Sequence, residues 1–352
     1  MIKVIYSNKD ATIYDLYPEL NTGLDEILEL TKYINGSLIY SSRILIKFDY
    51  SQVQSLISAN TININNFSAS LKLYSVQDYE APIDYKVSCF PISQSWDMGT
   101  GKYAYNPQVT NGVSWKYRTS DTGSNWTGSL IYNQNVGGGT WNSNYECTQS
   151  FEYNPEFTDI SIDITSIIKA YVTGSIENNG LILKLSGSLE SNNTPITTQY
   201  FSNETGTIYF PRIFISYDDV VYNTGSLEVV QLSQQTSLNL KNIKSEYYRN
   251  SVEKLRVYAR PMYPARTFST SSYYNVNFAL PSASYYQVED FYSGDIIIPF
   301  NEHTKLSCDS ISSYFNFEFN SLVVNRLYRF CFKLQDSEQT KYYKFDNAFK
   351  II

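Results

Sequence analysis

Hydrophobic and polar residues alternate along most of this chain, and the alternation predicts a protein built from β-strands. In Ile160–Asp163 the isoleucines alternate with polar residues, which is the period of a strand with one buried face. The run Leu181–Leu185 is apolar almost throughout and predicts a fully buried strand. Arg43–Asp49 and the end of Ile62–Leu73 have the same character. The rich content of tyrosine (33) and phenylalanine (19) agrees with sheets, because aromatic side chains suit a pleated surface.

One segment carries a helical pattern instead. Asp163 and Thr165 are N-cap residue types, and apolar residues recur at helical spacing in Ile167–Val172. Gly174 then ends the pattern. The sequence therefore predicts a single short helix near Thr165–Tyr171, closing one end of a β-sandwich.

The beginning of the chain is less regular. Lys3–Tyr6 and Ala11–Asp15 predict two short strands, and Val53–Ile57 predicts a short connector. The pattern of Gly23–Lys32 fits a helical turn, whereas the family resemblance described below implies a loop and a strand there, so both alternatives stay open. Asp84–Pro91 predicts a further strand that leads into Ser95 and Trp96.

After about residue 218 the pattern changes to short strands at regular spacing, separated by turn residues. This is typical of an Ig-like sandwich at 271–352, preceded by a linking β-region at 219–270. Asn242–Ser251 fits either a brief helix or an extended loop. The predicted strands are Ser226–Leu232, Thr236–Leu240, Val252–Arg260, Tyr285–Asp290, Asp295–Pro299, Ser313–Phe319, Leu327–Leu334 and Tyr342–Phe349.

Glycine and tryptophan are concentrated in Gly99–Glu152, which predicts long loops with short hairpins. Gly137–Gly139 is expected to be a flexible tip. The aromatic side chains of this region have two interpretations. They would form a platform on which sugar rings stack, or they would anchor their own loops or fill a subunit interface. The second interpretation is favoured. The candidate interface or glycan-binding residues are Trp96, Trp115, Tyr117, Trp126 and Trp141.

The first 218 residues resemble the DNRLRE-type domain, a jelly-roll β-sandwich related to carbohydrate-binding modules and found in surface proteins. Seven short motifs stand in the family's order, and the insertion at about 99–152 departs from the family pattern. The matching segments are Asp10–Ile13, Asn21–Gly23, Arg43–Asp49, Ala69–Tyr74, Ser95–Gly99, Asn178–Leu183 and Pro211–Ile215. The resemblance implies an all-β chain, with an N-terminal jelly-roll sandwich carrying a long loop insertion ahead of the Ig-like sandwich.

The C-terminal segment resembles the closing domain of virion structural proteins of T4-like tailed phages, particularly marine ones. The resemblance covers about 75 residues and implies a role in a phage particle. The segments that carry it are Leu280–Pro281, Tyr285–Asp290, Ile297–Phe300, Thr304–Asp309, Tyr314–Phe315 and Arg326–Arg329.

Charge and hydropathy exclude several partner classes. The net charge is −7 and the isoelectric point is about 4.9, which argues against nucleic acid and against an anionic membrane surface. No apolar run reaches the roughly 18 residues of a membrane-spanning helix. The N-terminal residues lack the apolar core of a signal peptide, so we expect synthesis in a cytosol.

The sequence contains no recognisable catalytic motif, and we therefore predict that the chain is not an enzyme. Its one histidine, His303, lies in a predicted solvent-exposed turn, and no nucleophile-elbow motif occurs. The four cysteines lack zinc-site spacing and are expected to be buried thiols. A glycosidase would need paired carboxylates, for which the candidates near the insertion are Asp97, Asp121, Glu146 and Glu152.

No cofactor is predicted. A structural calcium ion would draw on the oxygen ligands of Asp10, Asp15, Asp49 and Asp163, but no calcium-loop motif is present and capping roles are favoured. The two resemblances, together with the acidic charge, the unpaired cysteines and the aromatic insertion, imply a non-enzymatic structural protein of a tailed-phage virion. It would sit at the neck, tail or capsid surface and contact other virion proteins as a homo-oligomer, ring or array. The alternative is a glycan-binding adhesion module on a phage or cell surface.

Overall fold

The computed structural model describes residues 1–76, 83–120, 124–127, 137–153, 158–241, 243–263 and 277–352. The chain is all-β, with 43% of residues in strands and 8% in helices, and its mostly antiparallel sheets are sandwich-like. The predicted fold class is confirmed at this level. The more specific assignments, jelly roll and Ig-like, remain predictions.

Twenty strands and two α-helices form the described structure. The strands are β1 Ile2–Tyr14, β2 Ile27–Asn35, β3 Leu38–Phe48, β4 Phe67–Leu73, β5 Tyr85–Pro91, β6 Cys147–Phe151, β7 Ile160–Asp163, β8 Leu181–Leu185, β9 Ile196–Phe201, β10 Arg212–Tyr217, β11 Thr236–Lys241, β12 Glu246–Tyr247, β13 Val252–Pro261, β14 Ala283–Asp290, β15 Ile296–Ile298, β16 Ser307–Cys308, β17 Ser313–Glu318, β18 Leu327–Gln335, β19 Thr340–Lys344 and β20 Phe349–Ile351. The α-helices are α1 Ser51–Ser58 and α2 Thr165–Val172, and short 3-10 helices lie at Gly187–Leu189, Glu302–Thr304 and Phe319–Ser321.

The chain forms two compact units. One contains residues 5–215, and the other contains residues 1–4 together with 216–352. We call them the N-terminal unit and the C-terminal unit.

Ten strands form the hydrogen-bonded sheet that dominates the N-terminal unit, in the order β6-β5-β8-β3-β1-β10-β4-β7, with β2 and β9 attached through β3. Strand β3 pairs with three strands, because Leu38–Ser41 pairs with β2, Ser42–Phe48 pairs with β1 and Ile44–Ile46 pairs with β8. Alternation explains the burial of β4, in which every second side chain is buried.

Helix α2 begins and ends where the sequence predicts. The side chain of Asp163 accepts the backbone N–H of Thr165 at 2.9 Å, and Gly174 has a φ of +73° after the last turn. Four side chains of α2 are buried, and the hydroxyl of Tyr171 donates to the carbonyl of Gly180 at 2.7 Å.

Two local predictions differ from the structure. The predicted connector at 53–57 lies in helix α1, where Val53 is the only buried residue. The two predicted strands at the N-terminus form one strand, β1, with a register shift between Ser7 and Lys9. The shift explains the break in the hydrophobic pattern, because a bulge inserts an unpaired residue without ending the strand.

The C-terminal unit contains a four-stranded sheet, β11-β13-β17-β16, and a six-stranded sheet, β12-β20-β18-β14-β15 with β19 beside β18. Rings of both sheets form its core; Phe317 packs at 5.3 Å from Phe330, and Phe330 at 4.8 Å from Phe349. Residues 1–4 join this unit. The Lys3 ammonium pairs with the Glu318 carboxylate, both largely buried.

Residues 219–270 do not form a separate linking region. Strand β13 pairs with β17 from Val252 to Val257, so the two predicted segments share one sheet. The predicted boundary at 270 lies within 264–276, outside the described residues. Ser226–Leu232 is not a strand, and the predicted strand 342–349 is divided between β19 and β20. Asn242–Ser251 contains the short strand β12.

Candidate functional site

Trp96 and the three tryptophans of the insertion lie inside the N-terminal unit. Trp96, Trp115 and Trp126 are almost fully buried, and Trp141 is half-buried beside them. The indole N–H of Trp96 donates to the carbonyl of Asn179 at 2.9 Å, and that of Trp126 to the carbonyl of Ser114 at 3.0 Å. We call this cluster the tryptophan core; its other buried members are Ala11, Ile13, Leu45, Phe90, Ile92, Val113 and Ile182.

This placement corrects the sequence-based choice of contact residues. Trp96, Trp115 and Trp126 present no face to solvent, so they are not available to a glycan or a neighbouring subunit. Tyr117 is half-buried, as is Trp141, whose ring packs 5.8 Å from Phe90. The described part of the insertion thus uses its tryptophans to anchor its own loops on the sheet.

Asn21 fastens these loops to the start of the unit. Its side-chain N–H₂ donates to the carbonyls of Met98 and Val113 at 2.7 and 2.8 Å. Its side-chain oxygen accepts the backbone N–H of Gly101 at 2.7 Å. A fully buried amide with three partners explains why a glycine-rich stretch is ordered here.

A buried ion network lies next to the tryptophan core. Arg43 of β3 donates from Nε and Nη2 to the two carboxylate oxygens of Glu190 at 2.9 and 3.0 Å. Lys184 of β8 lies 2.8 Å from the same carboxylate, and all three side chains are buried. Burial acts to raise the pKa of the Glu190 carboxyl, but Arg43 and Lys184 hold it below its usual value.

Arg43 also fixes the run of three glycines. It donates from Nη1 to the carbonyl of Gly138, and its guanidinium lies 4.7 Å from the centre of the Trp115 ring. Gly138 has a φ of +83°, and a Cβ there would lie 2.4 Å from Arg43 Nη1. The prediction that 137–139 is a flexible tip is therefore wrong, since these residues are buried.

An open groove on the same unit was not singled out from the sequence. Its floor is the outward face of β2, where Glu29, Thr31, Tyr33 and Asn35 alternate with the inward Leu28, Leu30 and Lys32. The neighbouring strands continue this face, because Thr31 is paired with Thr197 of β9 and Tyr33 with Tyr40 of β3.

Three more tyrosines form the wall of this groove. Tyr14 is the last residue of β1, Tyr17 lies in the loop after it, and Tyr103 belongs to the insertion. The Tyr103 ring lies 5.5 Å from the ring of Tyr14 and 5.7 Å from the ring of Tyr17. Asp25 accepts the backbone N–H of Tyr103 at 3.0 Å and so positions it. We call this the tyrosine groove; its volume is about 920 Å³, and its remaining lining residues are Leu16, Lys32, Ile34, Ser41, Asn193 and Pro195.

The pKa values of two tyrosines of the groove wall, Tyr14 and Tyr103, are raised. Burial raises the pKa of the Tyr103 hydroxyl to about 12, with contributions from Tyr17 and Glu29. Burial and the Glu29 carboxylate raise the pKa of Tyr14 well above its usual value. Burial also raises the pKa of Asp25 to about 6. Tyr14 and Tyr103 therefore present hydroxyl groups and ring faces rather than phenolate charge.

Part of the signal for this groove was present in the sequence. Residues Leu28–Asn35 alternate with period two, and Asn35-Gly36 is a strong hairpin turn, in which Gly36 has a φ of +63°. The contributions of Tyr103 and Thr197 carry no local signal, because both lie far from β2 in sequence.

The candidate calcium ligands do not form a metal-binding cluster in the described part of the chain. Among the described residues, no group of three or more His, Cys, Asp or Glu side chains could hold an ion. Asp49 and Asp163 each accept a backbone N–H two residues ahead, at the starts of α1 and α2. Asp10 is buried and accepts the backbone N–H of Asn203 at 2.8 Å. Burial raises the pKa of Asp10 to about 7.

Three of the four candidate catalytic carboxylates lie among the described residues. Asp97, Glu146 and Glu152 are exposed, and Glu146 accepts the hydroxyl of Ser88 at 2.7 Å. Asp121 lies outside the described residues. His303 is half-buried in the 3-10 helix Glu302–Thr304, where its backbone N–H donates to the side chain of Asn301 at 2.8 Å.

The C-terminal unit carries most of the exposed large apolar side chains of the described chain, although it is the smaller unit. Met262 and Tyr342 line a cleft of about 480 Å³ at the ends of β13 and β19. The exposed large apolar residues of this unit are Val221, Tyr222, Val229, Tyr248, Val252, Met262, Tyr263, Tyr292, Ile296, Ile311, Val324, Tyr342 and Ile352.

No helix of the described residues is long and apolar enough to cross a membrane.

Comparisons with known proteins give no family. No protein-family model matches the chain, and no curated protein matches it. Among solved structures, a β-glucuronidase of Parabacteroides merdae aligns with 81% of this chain and 28% of its own, at 10% identity and a TM-score of 0.19. The binding domain of botulinum neurotoxin serotype D/C aligns with 98% of this chain and 73% of its own, also at 10% identity and a TM-score of 0.19. This chain thus spans less than a third of the length of the first of these, and neither similarity carries an argument.

Proposed function

We propose that this chain is a non-enzymatic structural component of a tailed-phage virion, acting through protein–protein contacts at the neck, tail or capsid surface. The proposal draws on the C-terminal resemblance to virion proteins and on the acidic charge. The structural observation that supports it most is the number of exposed apolar and aromatic side chains on the C-terminal unit.

The physical argument is that exposed large apolar side chains mark contact surfaces. Tyrosine and methionine are enriched at protein interfaces, where they supply rigid or adaptable contact area. Tyr263 and Tyr292 are each more than three-quarters exposed, and Met262 is more than half exposed. The proposed partners are other virion proteins and further copies of this chain in a ring or array. The contact surface proposed is the C-terminal unit rather than the tryptophans of the insertion.

Mass spectrometry of purified particles tests the proposal. The chain should be present at a fixed stoichiometry, and a particle reconstruction should place the C-terminal unit against a neighbouring subunit. Presence in the infected-cell lysate alone, with none in particles, would exclude the proposal.

A pair of variants tests the contact surface. Met262→Ser combined with Tyr342→Ser should lower the copy number per particle several-fold, because both residues lie in the same exposed cleft. Tyr153→Ser, an equally exposed residue of the N-terminal unit, is the matched control and should be incorporated normally. Equal incorporation of all variants would show that the cleft lined by Met262 and Tyr342 is not the contact surface.

The alternative function, a glycan-binding module, is not supported at the tryptophans, because three of them are interior. A different surface favours it, namely the tyrosine groove.

A further inference from the structure

The tyrosine groove has the form of a binding site for an elongated ligand. Tyr33 and Tyr103 are each about half exposed, and they mark its two ends. Glu29, which lies beside Tyr103, is four residues from Tyr33 on β2, which corresponds to about 13 Å along an extended strand. A ligand that contacts both tyrosines must therefore extend along β2.

Two charged residues line the groove, Glu29 from the outward face of β2 and Lys32 from its inward, buried face, and both side chains are already engaged by the protein. The Lys32 ammonium donates to the carbonyl of Leu189 at 2.6 Å and to the side chain of Asn192. The Glu29 carboxylate accepts the hydroxyl of Tyr14 at 2.6 Å and the side-chain amide of Gln199 at 2.5 Å. The positive charge of Lys32 and the negative charge of Glu29 balance, and both groups are bonded within the protein. The groove lining therefore has no net charge that would favour an ionic ligand.

The rest of the lining offers ring faces, hydroxyls and amides. Thr31, Asn35, Asn193 and Thr197 supply neutral hydrogen-bond donors and acceptors, and the tyrosines supply flat apolar surfaces with a polar tip. A sugar ring has the matching chemistry, with C–H faces that pack on aromatic rings and hydroxyls at its edge. The volume also lies within the range of ligand sites.

We propose that the tyrosine groove binds an uncharged polysaccharide chain laid along β2, with Tyr33 and Tyr103 packing on its sugar rings. The assignment is independent of the virion role. It concerns only the N-terminal unit, and it does not require the chain to be part of a particle.

Affinity gel electrophoresis tests the site. The purified full-length protein is run in native gels that contain dextran, a mixed-linkage β-glucan or galactomannan as uncharged probes, and alginate or gelatin as charged and polypeptide probes. At least one uncharged probe should retard the protein. Tyr33→Ala and Tyr103→Ala should each weaken the retardation about tenfold, because truncating an aromatic ring that packs on a sugar removes much of the contact area. Tyr292→Ala, at a highly exposed tyrosine of the C-terminal unit, is the control and should bind normally.

Salt dependence tests the charge assignment. Retardation by an uncharged ligand should be unchanged between roughly 0.05 and 0.5 M NaCl, whereas a charged ligand would lose affinity as salt screens it. Tryptophan fluorescence confirms that each variant is folded. The proposal is overturned by a lack of retardation by every uncharged probe, by retardation that survives in the Tyr33→Ala/Tyr103→Ala double variant, or by retardation only by alginate or gelatin. Loss of glycan binding with normal particle incorporation would separate this site from the proposed virion contacts.

Discussion

Replacing Glu190 by glutamine should strongly destabilise the N-terminal unit. The substitution keeps the size of the side chain but removes the one negative charge between Arg43 and Lys184, and all three side chains are buried. Two cations would then remain in the interior without a counter-charge, and an amide N–H₂ would face donors that cannot accept it.

The geometry sets the magnitude. Removing one partner of a buried ion pair costs about 3–5 kcal/mol, because the remaining charge stays desolvated. The carboxylate of Glu190 has two partners at 2.8–3.0 Å, so we expect the upper part of that range. For a unit of this size, a loss of about 4–5 kcal/mol corresponds to a fall in the melting temperature of about 8–20 °C.

Urea unfolding followed by tryptophan fluorescence measures the effect in the correct unit. The four tryptophans are Trp96, Trp115, Trp126 and Trp141, and all belong to residues 5–215. Glu19→Gln is the matched control, because Glu19 forms an ion pair with Lys116 at 2.8 Å in which both side chains are about half exposed. Its midpoint should stay within experimental error of the wild type.

The pH dependence gives an independent check. The folded-state pKa of Glu190 lies below its unfolded value, so its contribution is complete above the unfolded pKa and is lost as the pH falls through the folded pKa. The stability difference between wild type and Glu190→Gln should therefore shrink in acid. A difference below about 1 kcal/mol at neutral pH, within the range of surface pairs, would refute the argument that this network is a buried, interdependent unit.

Three further predictions follow from other buried groups. Burial raises the folded-state pKa of Asp10 to about 7, so the stabilisation from this carboxyl is complete below its unfolded pKa and is lost as the pH rises to about 7. Asp10→Asn should flatten that part of the plot of unfolding free energy against pH. Parallel plots for variant and wild type would contradict the assignment. Lys3→Met should destabilise the C-terminal unit by about 3–5 kcal/mol, because it leaves the Glu318 carboxylate buried without its partner; near-ultraviolet circular dichroism during urea unfolding measures this, and an unchanged midpoint would contradict it. The native protein should react slowly with a thiol reagent at pH 8, because its cysteines are buried. Burial also raises the pKa of Cys89 well above its usual value and that of Cys331 to about 12, which lowers the thiolate fraction. In urea four thiols should react, and rapid labelling of the native protein would be inconsistent with their burial.

The candidate site divides into a part that local patterns reveal and a part that they do not. The outward row on β2 alternates with the buried Leu28 and Leu30, so the sequence contains enough information to place it on one face of a strand. The groove itself also needs Tyr103, whose position depends on the hydrogen bond from its backbone N–H to Asp25, 78 residues earlier. No periodicity carries such a contact.

The tryptophans illustrate the same limit from the other side. Their residue type predicts a packed or contacting surface, and both interpretations have the same sequence signature. The structure decides between them because strands β1, β3 and β8 provide an apolar face at Ile13, Leu45 and Ile182 that the insertion covers.

By itself, the sequence determined the all-β class, the short helix at 165–172 and most of the strands, because side-chain alternation and turn residues act over a few neighbouring positions. Only the tertiary structure decided that the indoles are interior, that Arg43, Lys184 and Glu190 share one buried network, and that tyrosines from three separate segments line one groove. Arg43 and Glu190 are 147 residues apart, and contacts over such distances depend on how the sheet is assembled rather than on any local pattern.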